Sequence, residues 1–520
     1  MAIAPSERSA HLEQFVVTAK QMRAIESRVF QAGMPVAALM EKVAGLITQR
    51  LLEQWPDRTT GFGIIVGPGH NGGDALVVAR ELHFRGYGVK VLCPLLSKLK
   101  DLTDSHAHYA VSLGIPFVAA TDDLADCDVL LDGLFGFGLT RSLTNDLAAL
   151  VNTINQWSIP VISIDIASGL HTDTGEVLGT AVRASQTLCL GLWKRAFLQE
   201  VALDWLGEAE LVDFGLPLAD IQAVIGEPQE VRITDQAMIA ALPLPRAANT
   251  HKYKQGHLLV IAGSQQYPGA AIMTALAARA SGVGMLTVAV PATLQPLVSA
   301  QVPDALVLRL PENDAGVMTH LPDAVDGSRY TAIAFGPGVT PNAVDVARRV
   351  MESDRPLVID ADGLNILASD LGLDGLANRS DPAILTPHLG EFRRLFPDID
   401  AGDRIEQVRT AAQRCGAIVL LKGARVAIAD PQSGHVWLNP SSTSALARGG
   451  SGDILTGLLG GLLAQGTLRG TSPTTITQNA VWWHAQAGRY AARDRTELGV
   501  DAITLANTLI PALQWKLALP

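Results

Sequence analysis

The sequence predicts two α/β domains in tandem, and three observations carry that expectation. At 520 residues the chain is longer than one hydrophobic core supports. Short apolar runs alternate with stretches of helical period in two separate series, the pattern of open sheets covered by helices. Between the series lies a Pro-containing stretch, Ala240–Asn249, preceded by a polar segment, which puts the boundary near residues 225–235.

In chain order, Thr18–Leu52 reads as one or two helices, with Met22, Ile25 and Val29, then Val36, Leu39, Met40 and Val43 at helical spacing. Gly63–Val66, Val89–Leu92, Val129–Asp132, Val161–Asp165 and Thr187–Gly191 read as buried parallel strands. A helix is expected over Ala75–Leu82. The second series runs Leu258–Ala262, Leu286–Val290, Ala332–Phe335, Leu357–Asp360, Ala383–Thr386, Ile418–Leu421 and Val426–Ala429. An apolar helix follows Ala445–Leu455 to about Ala464. In such sheets, ligands bind beyond the carboxyl ends of the strands.

The 40 basic and 51 acidic side chains leave a formal charge of −11, which disfavours nucleic-acid and anionic-lipid partners while allowing a local phosphate pocket. Cys93, Cys127, Cys189 and Cys415 form no CxxC pair, so buried thiols are expected rather than zinc or disulfides. The amino-terminal residues lack the apolar core of a signal peptide, and no run of about 18 apolar residues suggests a membrane span. A cytoplasmic enzyme without a membrane partner is the expectation.

Gly67, Gly69 and Gly72, between a strand and a helix, fit the G-x-G-x-x-G phosphate loop. Two details depart from a dinucleotide fingerprint: the next strand ends in Cys93-Pro94 without an acidic residue, and Asp74 in the first helical turn would repel a pyrophosphate. A tight turn packing helix on sheet competes with the phosphate reading. However, Asp132 and Asp165 also end strands beside glycines. Oxygens of Asn71, Asp132 and Ser168 can surround a hard, weakly held cation, leaving Asp165 for proton transfer.

The strings TAKQMRAIESRVFQAGMPVAALMEKVAG, GPGHNGGDA, DGLFGFGLTR and SIDIASGL together resemble the YjeF N-terminal family, the NAD(P)H-hydrate epimerases, over roughly residues 14–225. The resemblance implies a Rossmann-like α/β/α fold, a potassium ion and interconversion of R and S hydrates at nicotinamide C6. It places Asn71, Asp132 and Ser168 on potassium and Asp165 as acid/base. Substrate is implied at His70, Asn71, Gly72, Gly73, Asp74, Gly136, Phe137, Gly138, Leu139, Thr140, Arg141, Ser142 and Asp165. His70, Ala75 and Ala167 stand where the family has Asn, Gly and Pro, which bears on affinity and rate more than on identity.

In the second half, Gly449, Gly450 and Gly452 precede and enter a helix, so backbone amides can hold an anion there. Asp453 is either a helix-dipole cap or a base for phosphoryl transfer. No P-loop string occurs. Thr386-Pro387-His388-Leu389-Gly390-Glu391 and Leu421-Lys422-Gly423-Ala424 each follow a strand, with Glu391 a candidate for organising Mg²⁺ through water and Lys422 for a nucleotide phosphate. As alternatives, His388 is a capping or core imidazole, Glu391 a helix-face acid and Lys422 a solvated surface charge.

With Phe335-Gly336-Pro337-Gly338 and the HKYKQGH segment, these strings resemble the ribokinase-like NAD(P)H-hydrate dehydratases, the YjeF C-terminal family, over roughly 230–520. HKY stands where the family often has HKG. The resemblance implies phosphorylation and elimination of the S hydrate. Gly338, His388, Asp453 and Ala271 (or Ala270) would contact the hydrate, and Lys422, Gly423, Ala424, Arg425, Val426 and Gly452 the nucleotide. The fusion resembles the bacterial arrangement and so implies ADP, with Mg²⁺, as donor, NADHX and NADPHX as substrates, and a homo-oligomer. Two other readings are a ribokinase-like kinase of a vitamin precursor or sugar with an N-terminal nucleotide-binding domain, and a nucleotide sensor without turnover. A stable phosphorylated product would mark the first, and tight binding without reaction the second.

Overall fold

The computed structural model describes residues 5–323, 325, 327–399 and 402–518. The chain divides into two compact units, one ending at Pro228 and the other beginning at Gln229.

In the first unit seven parallel strands form one sheet: β1 (Gly61–Val66), β2 (Gly88–Leu92), β3 (Phe117–Val118), β4 (Val129–Gly133), β5 (Val161–Ile164), β6 (Gln186–Leu190) and β7 (Glu208–Val212). Their spatial order is β3-β2-β1-β4-β5-β6-β7, the Rossmann order with one strand added. Successive residues feed opposite faces: Ile64, Val91 and Leu131 enter one core, and Ile65, Leu92 and Leu130 another. Both faces are therefore covered, which is why these strands read as unbroken apolar runs. The order reverses between β1 and β4, so the turns after these strands open on the same crevice.

Two helices, Ala19–Gln31 and Val36–Gln54, occupy the stretch expected to be helical. Thr18 and Gln21 close a capping box on the first. The helix after β1 begins at His70, five residues before the expected Ala75, and runs to Phe84. The reason lies in the glycines. A Cβ at Gly67 would sit 1.6 Å from the Leu134 carbonyl oxygen, and one at Gly72 would sit 1.9 Å from that of Gly67. These positions let backbones touch, so the helix starts directly on the strand and residues 70–74 are helical rather than loop.

The second unit holds a ten-stranded mixed sheet: β8 (Glu230–Arg232), β9 (His257–Ile261), β10 (Met285–Pro291), β11 (Leu306–Leu310), β12 (Ala332–Phe335), β13 (Leu357–Ile359), β14 (Ala383–Leu385), β15 (Ile418–Leu421), β16 (Val426–Ala429) and β17 (Val436–Asn439). The order is β8-β17-β16-β15-β14-β13-β12-β9-β10-β11, antiparallel only at β15-β16-β17. The helix Ser451–Arg469 extends beyond its expected end and packs closely on Pro268–Ala280, where a Cβ at Gly457 would lie 1.9 Å from the Thr274 carbonyl oxygen. All four cysteines are free, and three are buried. Among the described residues, no helix is long and apolar enough to cross a membrane.

Candidate active sites

In the first unit the ends of β1, β4 and β5 converge. Asp132 is wholly buried. One of its oxygens accepts from the Leu134 amide (3.1 Å) and Ser168 Oγ (2.7 Å), the other from Ser163 Oγ (2.8 Å) and the Ser168 amide (2.9 Å). Burial raises its pKa against the pull of these donors, chiefly Ser168. Ser168 Oγ also accepts from the Phe135 amide at 2.9 Å, tying this cluster to the turn after β4. On that turn a Cβ at Gly136 would meet Asp165 Oδ2 at 2.9 Å and Asn71 Oδ1 at 3.1 Å, so only glycine admits both side chains. Asn71 Nδ2 is buried without a partner.

Asp165 follows β5 in a left-handed conformation, φ +70°, strained for a non-glycine residue. Its Oδ2 accepts from the Phe137 amide at 2.7 Å, and its Oδ1 from the ammonium of Lys194. Lys194 is completely buried and also donates to the Leu190 carbonyl at 2.5 Å. Burial alone would lower the Lys194 pKa, but the charge of Asp165, aided by Cys189 and Glu26, carries it above the ordinary lysine value.

Asp165 opens on a cavity of about 740 Å³. Its wall contains His70, Asn71, Asp74 and Gly136–Arg141, which the sequence singled out. Gly72, Gly73 and Ser142 are not in the wall: Gly72 packs on Gly67, a Cβ at Gly73 would meet the Met40 side chain at 2.6 Å, and Ser142 is exposed. The wall also contains Arg23 and Glu26, which sequence reasoning missed along with Lys194. Burial, with the charge of Asp165, pushes the Glu26 pKa up to about 7. Burial also raises Asp74 well above the carboxylate range. A lysine inside the apolar run LGLWKRAFL was the available signal for Lys194.

In the second unit Asp360, directly after β13, is buried at the centre of the constellation. It accepts from Lys422 Nζ and from Thr456 Oγ1, each at 2.7 Å. The next residue, Ala361, is held at φ +50°. Lys422 Nζ also lies 3.8 Å from Glu391 Oε2. A Cβ at Gly452 would sit 3.4 Å from Lys422 Nζ and 3.6 Å from Asp360 Oδ2, so the glycine turn, Lys422 and Asp360 share one place. Asp453, in the first turn of Ser451–Arg469, has its pKa pushed up to about 7 by burial and then by the charges of Asp360 and Asp362, against the pull of Lys422.

The capping alternative for His388 is realised, with Glu391 as its partner in a capping box. His388 is the N-cap of Leu389–Leu395, and Nδ1 accepts from the Gly390 amide at 2.9 Å. Glu391 returns the bond, Oε2 accepting from the His388 amide at 2.8 Å, so this carboxylate is occupied by its own helix. The other ring nitrogen of His388, Nε2, lies 3.5 Å from Glu391 Oε1, and the side chain is 55% exposed. Gly338 adopts φ +68°, and a Cβ there would lie 2.8 Å from that of Ala270. Ala271 is wholly buried in the core, leaving Ala270 nearer this turn. Gly423, Ala424, Arg425 and Val426 follow Lys422 between β15 and β16, with Arg425 Nη1 donating to the Pro440 carbonyl at 2.5 Å. Asp360 and Thr456 were missed, although Asp360 ended a strand as Asp165 did. Among the described residues, no three His, Cys, Asp or Glu side chains form a metal-holding group.

A family model described as "YjeF-related protein N-terminus" matches residues 36–196, and one described as "NAD(P)H-hydrate dehydratase" matches residues 258–511. A bifunctional NAD(P)H-hydrate repair enzyme of Synechocystis sp. is 54% identical over 504 residues, spanning 96% of this chain and 95% of that protein. One of Thermosynechococcus vestitus is 50% identical, spanning 97% and 98%. Among solved structures, an ADP/ATP-dependent NAD(P)H-hydrate dehydratase from Bacillus subtilis, co-crystallised with ATP/Mg²⁺, is 30% identical with a TM-score of 0.46. It covers 54% of this chain and 97% of that one.

Proposed function

Because this chain belongs to the family of bifunctional NAD(P)H-hydrate repair enzymes, we propose that the two sites divide its two reactions between residues 14–225 and 230–520. Repair consists of epimerase and ADP/ATP-dependent dehydratase activities. The first is assigned to the cavity below Asp165 and the second to the turn carrying Asp453. What carries the assignment is the pairing of a fixed anion, Asp165 on Lys194, with a cavity of about 740 Å³ in one unit, and of an acid poised near 7 with a glycine-lined helix start in the other.

The hydrate bears a hydroxyl on C6 beside ring nitrogen N1. Loss of that hydroxyl as water leaves an N1=C6 cation, and water returning to the opposite face yields the other epimer. Asp165, oriented by Lys194 and the Phe137 amide, stabilises the cation and exchanges the proton. His70, Asn71, Asp74 and Gly136–Arg141 position the dinucleotide, with Gly72, Gly73 and Ser142 contributing through backbone shape. Asn71 leaves a buried amide without a partner, and with Asp132 and Ser168 it would hold potassium. When bound, it supplies a fixed positive field for substrate oxygens.

In the dehydratase, Asp453 takes the proton of the C6 hydroxyl as that oxygen attacks the β-phosphorus of ADP and AMP departs. Breaking C6–O then expels phosphate, and loss of a C5 proton restores the C5=C6 bond. Gly338, His388 and Ala270 hold the hydrate, with Ala271 behind them in the core; Lys422–Val426 and Gly452 hold ADP. The carboxylates near Lys422 are engaged with protein donors, so Mg²⁺ would arrive on the nucleotide. Free cysteines suit the proposed cytoplasmic setting, where a homo-oligomer is expected. The test mixes protein, hydrated NADH and ADP and follows the reduced-nicotinamide absorbance; absence of recovery from both epimers overturns the reading.

A further inference from the structure

Inversion at C6 makes a demand that one fixed carboxylate does not meet. The hydroxyl leaves one face of the ring needing a proton, and water adds to the other face releasing one. Asp165 reaches the cavity from one element only, fixed there by the Lys194 ammonium and the Phe137 amide that its two oxygens accept. A second group that gives and takes a proton must reach the same cavity.

We propose that Glu26 is that group, forming with Asp165 a two-carboxyl pair that shares one proton across the epimerase cavity. The proposal rests on the assignment of this cavity to the epimerase. Glu26 and Asp165 both lie in the wall, but they arrive on different elements, Glu26 on the helix Ala19–Gln31 and Asp165 after β5. Among the described residues, the Glu26 carboxyl has no hydrogen-bond or ion-pair partner, unlike Asp165. The charges around it are mixed. Asp165 and Asp74 repel its anion, whereas Lys194 and Arg23 attract it. His70, Lys100 and Arg141 complete the titratable and charged wall. Burial leads in raising its proton affinity, and the result, about 7, suits a group that must both donate and accept.

The step balances. Glu26 as the acid protonates the C6 hydroxyl, and C6–O breaks with both electrons to oxygen, releasing water. The N1 lone pair forms N1=C6. Water then adds at C6 from the other face, its oxygen pair forming the new bond and its surplus proton passing to Asp165. The reverse epimerisation uses Asp165 as acid and Glu26 as base. Proton return between the two through cavity water resets the pair.

The experiment measures R/S exchange against pH in full-length Glu26→Gln, Glu26→Asp and Asp165→Asn proteins. Dehydration of the S hydrate is the internal control. In the native protein exchange declines as pH rises above about 7, where the pair loses its proton. Glu26→Gln is expected to slow exchange about a hundredfold and abolish that limb while dehydration persists. Glu26→Asp is expected to exchange slowly with the limb retained, and it carries the test if the amide variant loses the first unit's thermal transition. Exchange in Glu26→Gln within about threefold of native, or with an unchanged limb, overturns the proposal. If Asp165→Asn also exchanges normally, the cavity assignment itself has failed; if only Asp165→Asn is inactive, Glu26 alone has.

Discussion

The two units solve a similar electrostatic problem in different ways. Each places a carboxylate after a central strand, pairs it with a lysine, fully buried in the first unit and part-buried in the second, and strains the backbone there, at Asp165 itself (φ +70°) or at Ala361 beside Asp360 (φ +50°). In the first unit the paired carboxylate itself faces the cavity. In the second it stands behind, bonded to Lys422 and Thr456, and its charge raises the proton affinity of another acid, Asp453. An ion pair of one chemistry thus serves as a reacting group in one place and as a setting for one in the other.

The sharpest test of that contrast is Asp453→Asn. Loss of the base is expected to slow dehydration by about a thousandfold while R/S exchange stays unchanged, both followed on the same protein. Loss of both activities would refute separate sites. The same change removes a buried acid whose folded pKa, about 7, exceeds its unfolded value. Such a group binds more protons folded than unfolded, so its contribution to stability falls as pH rises from about 4 to 7. Calorimetry above pH 7 should therefore find the second unit stabilised by about 2 kcal/mol.

Next in size is Lys194→Met, which leaves Asp165 buried without its cation. The first unit is expected to lose about 3–5 kcal/mol, seen as a lowered thermal transition that Lys194→Met/Asp165→Asn partly recovers. Equal loss in the second unit would break the comparison. Asp360→Asn sharpens it from the other side. Without that charge Asp453 ionises more readily, so the acid limb of dehydration moves to lower pH, with a rate loss of about tenfold at the optimum. The smallest effect belongs to His70→Asn, a change at the cavity wall that keeps a donor. The KM for exchange should move by less than about threefold.

Legibility followed burial. Central strands such as β1, β4, β12 and β15 have both faces covered and read directly as apolar runs. The edge strands did not: β3 has two residues, β7 (EAELV) is half-exposed, and β11 (LVLRL) carries exposed Leu306 and Arg309. Within the sites, motif glycines and Asp165, Asp132 and Asp453 were readable from strand ends and helix starts. Partners distant in sequence were not. Lys194 lies 29 residues from Asp165, and Lys422 lies 62 from Asp360. Local patterning says that a buried lysine needs an anion, but not which one. In the glycine loop Gly67 and Gly72 are required by backbone contact, as the tight-turn alternative expects.

The left-handed Asp165 has a consequence for inheritance. Glycine occupies that backbone region freely, and aspartate holds it at a penalty of about 1 kcal/mol. At Asp453 loss of the carboxylate makes the second unit sturdier, whereas loss of Asp165 leaves Lys194 buried without its anion, a cost of about 3–5 kcal/mol that outweighs the backbone gain. Selection for stability alone would therefore erode Asp453 first and keep Asp165 in its pair with Lys194. Copies of the gene freed from the need for dehydration should drift toward a neutral side chain at 453 while the pair of Asp165 and Lys194 is retained.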